Sequence, residues 1–337
     1  MRIGINGFGR IGRNYLRCAL KRGHEVVAVN DLVGTATLAH LLKYDSTYGP
    51  LGHEVGHDGS ALLVDGRRIA TSAQKDPDAL DWEGVDVVIE STGRLRDRET
   101  AARHLKRGAR KVLISAPAKD VDAVLVMGVN EHTYDPARHD VVSGASCTTN
   151  CVAPMAKVLH EAFGVDKGYM TTVHAYTGDQ MLLDGPHKDL HRARSAAVNM
   201  IPTSTGAARS VGVVIPELAG RFDGMALRVP VENGSLVDLA CVLSRRVGQE
   251  EVNAAFAAAA ADRLQGVLRY NTDPIVSRDI LGDPASCVFD APLTRSAGEL
   301  VKVFGWYDNE WGYANRLADL VEHMLGAENA PTATRES

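Results

Sequence analysis

The 337-residue chain lacks a long apolar run, a basic block and any close pairing of cysteines, and each gap removes a class of protein. No stretch approaches membrane-spanning length, and Met1 runs straight into an apolar strand-like segment without the regions of a secretory leader. A soluble, cytoplasmic protein with no membrane partner is expected. The net charge of -5 is spread along the chain, so nucleic acid is not expected as a primary partner. Cys18, Cys147, Cys151, Cys241 and Cys287 are odd in number and scattered, without a CxxC or a Cys/His cluster at zinc spacing. Neither a disulfide scaffold nor a metal site is expected. Cys147 and Cys151, one helical turn apart, do not readily meet the disulfide dihedral. Packing or reactivity is left for them.

What is present is ordinary soluble composition, 45% apolar and 23% charged, and enough length for two domains. The opening "RIGINGFGRIGRNYLRCALKRGHEVVAVND" reads as a strand to Asn6, a glycine turn, a helix with Ile11, Leu16 and Leu20 on one face stopped by Gly23, and a second buried strand. Further strands are "VDVVIES", "KVLIS", "DAVLVMGV" and "HDVVSG", with a helix from Asp97 to Arg107 between the first two. This alternation predicts an α/β domain, a Rossmann-type doubly wound parallel sheet. After Ala145 the texture changes to alternating strands, "YMTTVHAY", "GMALRVPV" and "SLVDLACVLS", which predict a mostly antiparallel sheet in an α+β domain. Helices are expected from about Asn150 to Phe163, with Pro154 kinking or restarting the first, from Glu250 to Leu264, and from Asn309 to Leu325. The polar tail from Ala327 to Ser337 has too little apolar material to fold.

Gly7, Gly9 and Gly12 form GxGxxG between the first strand and helix, where backbone can approach a pyrophosphate at the helix N-terminus. Asp31, 19 residues beyond Gly12, ends the second strand where a carboxylate can accept hydrogen bonds from a ribose. A glycine turn with a capping aspartate is the plainer alternative. Asp31 followed by Leu32 would also repel a 2′-phosphate, which favours NAD over NADP.

The stretch "ASCTTNC" places Cys147 where a helix should begin, among hydroxyls, whereas Cys151 lies one turn further in and should face the domain body. A thiolate is favoured at a helix N-terminus, yet free cysteines are often small buried hydrophobes, so both readings of Cys147 stand. His174 ends an alternating strand before a polar loop, a place from which an imidazole can reach a thiol. The other eleven histidines have no comparable context, and a structural role for His174 remains open.

"NGFGRIGR", "ISAPAK", "ASCTTNC", "VHAYT", "IPTSTGAA", "ALRVPV" and "WYDNEWGY" occur in this order along nearly the whole chain. In this the chain resembles the phosphorylating glyceraldehyde-3-phosphate dehydrogenase family. The resemblance implies an NAD-dependent enzyme in which a Cys147 thiolate attacks the aldehyde of glyceraldehyde 3-phosphate and His174 takes the hydroxyl proton as hydride leaves. Inorganic phosphate then releases the thioester as 1,3-bisphosphoglycerate, and the Cys147 backbone N–H is an oxyanion donor. It further implies that Thr177 and Arg228 hold the substrate phosphate, that Ser146, Thr148, Thr205 and Gly206 line the site of the attacking phosphate, and that Arg192 lies near both. Arg10, Ile11, Asp31, Ser115 and Asn309 match cofactor contacts, Tyr313 supports the nicotinamide pocket, and Thr92 and Gly93 follow a parallel strand's carboxyl end, where such sheets bind ligands. The implied organisation is an NAD-binding domain over 1–147, a catalytic domain over 148–310 and a C-terminal helix over 311–326 packing back on the first domain. The chain would form a homotetramer, with Tyr176 to roughly Asn199 as an irregular loop near a neighbour's cofactor.

Several positions depart from the family pattern. Gly144 stands for a usual asparagine, Gly178 for a common asparagine and Met181 for a frequent basic residue, while His191 and "VENGSLVDL" differ from "RRAR" and "PNVSVVDL". Gly178 also occurs in photosynthetic relatives that accept NADP, whereas Asp31, Leu32 and Pro186 favour NAD. The two glycines are expected to loosen the loops beside Cys147. A specialised isozyme, inhibitor-tolerant or using an erythrose-4-phosphate-type substrate, is the nearer alternative, and a non-catalytic NAD-binding protein the remoter one.

Overall fold

The computed structural model describes residues 1–329. Its first half alternates strand and helix: β1 (Arg2–Asn6), α1 (Arg10–Arg22), β2 (Glu25–Asn30), α2 (Thr35–Lys43), β3 (Val55–His57), β4 (Ala61–Val64), β5 (Arg67–Ser72), β6 (Val87–Glu90), α3 (Arg98–Ala101), α4 (Arg103–Lys106), β7 (Lys111–Ile114), β8 (Ala123–Val124) and β9 (Val141–Ser143). These strands form one sheet in the order β3-β4-β5-β2-β1-β6-β7-β9-β8, parallel except where β4 pairs with β3 and β5. The second half contributes α5 (Cys147–Phe163), β10 (Val165–Ala175), β11 (Ile201–Ser204), α6 (Ala207–Val214), β12 (Phe222–Val229), β13 (Ser235–Leu243), α7 (Gln249–Ala261), β14 (Leu268–Asn271), β15 (Cys287–Asp290), β16 (Arg295–Ala297), β17 (Leu300–Tyr307) and α8 (Trp311–Asn329). Its sheet runs β11-β12-β10-β13-β17-β15-β14, with β16 on β17, and is antiparallel except at β10–β12 and β14–β15. The expected pair of sheets is present.

Some elements differ from expectation for visible reasons. The segment from Asp97 to Arg107 is two short helices, because i→i+3 bonds such as Leu105 N–H to Ala102 O tighten the chain between them. The strand in "DAVLVMGV" shrinks to two residues: the Asn130 side chain accepts from Val126 N–H and donates to Val124 O, replacing the ladder. α5 starts at Cys147 and passes through Pro154 as one helix, whose missing bond is offset by complete burial of Met155, Val158 and Leu159 around it. α8 starts at Trp311 because the Asp308 carboxyl takes the N–H groups of Glu310 and Trp311 at 3.0 and 2.8 Å. It extends to Asn329, since Leu325 and Ala327 still pack on the core; the rest of the expected tail lies outside the described residues.

Besides three smaller clusters, two large apolar cores result among the described residues. One joins the first sheet to α1, α2 and α8, and the other packs α5, α6 and α7 on the second sheet. Between them lies Asp308, 1% exposed, which also accepts from Tyr48 Oη at 2.8 Å, Asn233 Nδ2 at 2.8 Å and Gly282 N at 2.8 Å. It therefore ties the loop after α2 to the second sheet and to α8. Among the described residues no helix is long and apolar enough to cross a membrane. Asp308→Ala would leave several buried donors unpaired and is expected to cost about 1–3 kcal/mol; an unchanged denaturant midpoint would show that water satisfies them instead.

Candidate active site

The glycine turn after β1 is shaped for close backbone approach. Gly7 has φ +93°, and a Cβ there would lie 2.6 Å from Thr92 N; one on Gly12 would lie 2.2 Å from Gly7 O. Gly9 faces open space. α1 follows with no acidic residue in its first turn and no side-chain cap, so its N-terminal field is available to an anion. Asp31 lines the same cleft with Gly7, Gly9 and Thr92, and one carboxyl oxygen accepts from Phe8 N–H at 2.7 Å, leaving the other for a ribose hydroxyl. These features fit a dinucleotide. The Arg10 guanidinium pairs with Asp45 and Glu310, so a cofactor contact from this residue falls to its backbone N–H, as it does for half-buried Ile11. Gly93 has φ +69°, and Ser115 Oγ donates to Glu90 O at 3.1 Å beside this turn.

A buried polar network missed in the sequence underlies the cleft. Glu90 accepts from Asn6 Nδ2 at 2.6 Å and from Thr92 N–H at 2.9 Å, and lies 2.9 Å from His104 Nε2. Trp82 Nε1 donates to His104 Nδ1 at 2.9 Å, which makes Nε2 the protonated nitrogen. His104 had no distinguishing local context; only the fold brings it under the cofactor turn.

The thiol and the imidazole meet. Cys147 is the first residue of α5, Ser146 caps that helix by accepting from Thr149 N–H at 3.0 Å, and Cys147 Sγ lies 3.6 Å from His174 Nε2. His174 Nδ1 is 2.7 Å from Ala175 O and 3.0 Å from Arg228 Nη1; the shorter contact, to a carbonyl that can only accept, assigns the proton to Nδ1 and turns the Nε2 lone pair to sulfur. Burial, with Arg228 beside it, holds His174 down to about 3. Burial likewise pushes the Cys147 thiol up, against the pull of Arg228 and of hydrogen bonds from Thr148. The resting proton therefore sits on sulfur, with His174 Nε2 at 3.6 Å and the Thr148 hydroxyl at 4.0 Å. Cys151 is fully buried with Sγ 3.5 Å from Gly305 O, turned into the domain body.

Arg228 lies beside this pair, 3.0 Å from His174 Nδ1, and further donors for anions stand on other loops. Arg228 Nη1 donates to Thr177 Oγ1 and to Ala175 O, each at 3.0 Å, and its buried Nε has no protein partner. Arg192 Nε donates to Thr203 Oγ1 at 2.9 Å. Gly206 caps α6 without a side chain in the way, and Thr205 Oγ1 accepts from Ala207 N–H at 3.2 Å. Of the residues expected at the attacking phosphate, Ser146 Oγ is engaged with Thr149, and Thr148 Oγ1 with Tyr307 Oη at 2.9 Å. Tyr307, which the sequence reading left without a role, also lies 2.9 Å from Thr172 Oγ1 and sets its ring edge against His174. Asn309 Oδ1 accepts from Ser235 Oγ at 2.8 Å, and Tyr313 Oη donates to Ala145 O at 2.8 Å, holding the turn before Cys147. Gly144 is not a loosened position: it is buried, and a Cβ would lie 2.9 Å from Leu317 Cδ2 of α8. Gly178 does face open space.

A dinucleotide cleft at the carboxyl ends of a parallel sheet, with a thiol–imidazole pair just beyond the end of β9 of that sheet and Arg228 beside it, places the chain among the NAD-dependent oxidoreductases. Residues 1–98 match the NAD binding domain of glyceraldehyde 3-phosphate dehydrogenase and residues 146–309 its C-terminal domain. The chain is 60% identical over 326 residues to glyceraldehyde-3-phosphate dehydrogenase of Streptomyces coelicolor, covering 95% of this chain and 97% of the relative. It is 58% identical over 325 residues to glyceraldehyde-3-phosphate dehydrogenase 2 of Streptomyces avermitilis, with the same coverage. To the Geobacillus stearothermophilus enzyme of that name it is 57% identical over 328 residues, 96% of this chain and 98% of the relative. The chain belongs to the glyceraldehyde 3-phosphate dehydrogenase family.

Burial makes the thiols unequal. Cys18, Cys151, Cys241 and Cys287 are at most 1% exposed, so iodoacetamide should modify Cys147 alone in the folded protein. Because the thiolate is the reactive form and the Cys147 pKa is raised, the rate should climb with pH above neutrality, and His174→Asn should slow it at pH 7. Peptide mass mapping would count against this if a second cysteine reacted at a comparable rate.

Proposed function

We propose that this protein oxidises glyceraldehyde 3-phosphate to 1,3-bisphosphoglycerate with NAD and inorganic phosphate, and that Cys147 and His174 carry the chemistry. The observation that carries this reading is the 3.6 Å approach of Cys147 Sγ to an unprotonated Nε2 at the start of α5. Moving the thiol proton onto His174 creates a thiolate that the helix N-terminus favours, and this thiolate adds to the aldehyde carbon. The first N–H groups of α5, including that of Cys147, stabilise the developing oxyanion. The imidazolium returns that proton to the oxyanion, giving the thiohemiacetal hydroxyl, and the neutral His174 takes it back as hydride leaves; the Nδ1–H to Ala175 O bond keeps Nε2 aimed throughout. Bound NAD supplies the hydride acceptor. Its adenosine half would be held by the Gly7–Gly12 turn, Asp31 and Thr92, and its nicotinamide half by the Asn309 side chain, with Tyr313 acting through Ala145.

Thr177 and Arg228 would bind the substrate phosphate, Thr205, Gly206, Thr148 and Ser146 the attacking phosphate, and Arg192 would serve both. In that reading residues 1–147 bind the cofactor, 148–310 provide the chemistry and 311–326 lock the two together. The loop from 176 to 199 exposes Leu182, Leu183 and Leu190 at 78, 76 and 80%, apolar surface of the kind subunit contacts cover, which supports a homo-oligomer; the family resemblance supports a homotetramer and a cytoplasmic enzyme.

The test is NADH formation from glyceraldehyde 3-phosphate with and without inorganic phosphate, with NADP in parallel. Phosphate-dependent turnover preferring NAD is expected, abolished by Cys147→Ser and lowered about 10²–10⁴-fold by His174→Asn. Binding of NAD with neither steady turnover nor a stoichiometric burst would overturn the assignment.

A further inference from the structure

The donors assigned above to the substrate phosphate are not free in this structure. Asp179, two residues beyond Thr177, takes the Thr177 hydroxyl on one carboxyl oxygen and Arg192 Nη1, at 2.5 Å, on the other. One carboxylate thus bridges a threonine and an arginine that are expected to hold a phosphate, and Thr177 is at the same time bonded to Arg228. Burial works against the Asp179 charge, yet the Thr177 hydroxyl and the guanidinium groups of Arg192 and Arg228 prevail and hold its carboxyl below the usual range. The bridge is also easy to open. The Asp179 side chain is 46% exposed, and the preceding residue, Gly178, has no neighbour within 4 Å of where a Cβ would sit.

We propose that Asp179 is a specificity-determining residue, a built-in counter-ion that fills the substrate-phosphate donors and gives them up only to an anion of higher charge. The inference rests on the assignment of Thr177, Arg192 and Arg228 to substrate phosphate. Displacing Asp179 costs the same whatever replaces it. A phosphate dianion recovers that cost through its second charge and additional acceptor oxygens, whereas a monoanion recovers less. An aldehyde without a phosphate leaves the bridge intact and gains nothing from the arginines. Once displaced, the carboxylate turns into water, while Arg192 keeps its bond to Thr203 Oγ1 at 2.9 Å and its ion pair with Asp189 at 3.8 Å, which hold it in place for the incoming anion. Asp179 in this account touches the anion ligands and not the reacting carbon, so its removal should change binding and leave the thiol chemistry alone.

Asp179→Asn, which removes the charge and keeps the shape, and Asp179→Ala, which removes both, separate the possibilities. In the intact chain loaded with NAD, inorganic sulfate followed by titration calorimetry should bind about threefold to tenfold tighter in both variants. KM for glyceraldehyde 3-phosphate should fall by a similar factor, while kcat/KM for unphosphorylated glyceraldehyde should stay within about twofold, since the bridge never opens for it. Sulfate affinity that is unchanged or weaker overturns the proposal. So does a parallel loss of activity on both aldehydes, the mark of a residue that merely supports the loop. If the wild-type chain oxidises neither aldehyde, the functional assignment fails, and the sulfate titration still decides the role of Asp179.

Discussion

The site depends on a turn that the backbone would not choose. Ala145 has φ +56°, a left-handed conformation that costs a residue bearing a Cβ about 1–2 kcal/mol. The surroundings over-determine it: Ala145 N–H donates to Ser143 Oγ at 3.1 Å, Tyr313 Oη holds its carbonyl, and Asn150 Nδ2 bonds the flanking Gly144 and Ser146 carbonyls at 2.8 and 2.9 Å. The turn carries the chain out of the parallel sheet at β9 and starts α5 two residues later. Cys147 thereby sits at the contact of the two apolar cores, packed against both. Neither domain alone would complete the site, because the thiol is aimed by the first sheet and α8 while the imidazole and the arginines come from the second sheet.

That dependence explains why the last helix returns to the first domain. α8 presses Leu317 and Leu320 onto Gly144, where any side chain would meet Leu317, and reaches Ala145 with Tyr313. At its other face Arg22 of α1 pairs with Asp319 at 2.5 Å, and Cys18 Sγ lies 3.3 Å from Asn315 Oδ1. Its start is fixed by Asp308, whose neighbour Asn309 is held by Ser235. Close packing transmits small displacements, so a shift of α8 moves both the nucleophile's turn and the residue assigned to the nicotinamide. Coupling of cofactor and thiol positions is thus a matter of one helix.

What was legible in the sequence had a local signal. The glycine turn, Asp31 and the helix start at Cys147 could be read because strand, turn and helix propensities change within a few residues there. Arg192, Thr205 and Arg228 had no such signal; resemblance alone selected them, and β12 brings Arg228 to within 3.0 Å of His174 Nδ1. Glu90 and His104, 14 positions apart, carried no signal at all, since a buried network is defined by pairings across β1, β6 and α4. Gly144 misled for the same reason: a glycine beside a nucleophile suggests freedom, and only the position of α8 shows that the site is buried and that a side chain there would have to move Leu317. Gly178, by contrast, has open space around it, so two departures from the family pattern that look alike as letters are opposite in mechanics.

The electrostatics follow from the same geometry. Burial disfavours a charge on Cys147 or His174 taken singly, and Arg228 adds to the penalty on the imidazole while easing that on the thiolate. A proton passed from Sγ to Nε2 creates a cation and an anion 3.6 Å apart, whose mutual attraction replaces the water each has lost. The pair is therefore charged only as a unit, and substrate that turns the thiolate into a neutral thioether leaves the imidazolium unpaired beside two arginines. Its proton is then most acidic where the new oxyanion needs one, and once hydride transfer has protonated His174 again an incoming phosphate finds the site at its most positive. A carboxylate in the same ring of donors would keep that excess of positive charge in check until substrate arrives.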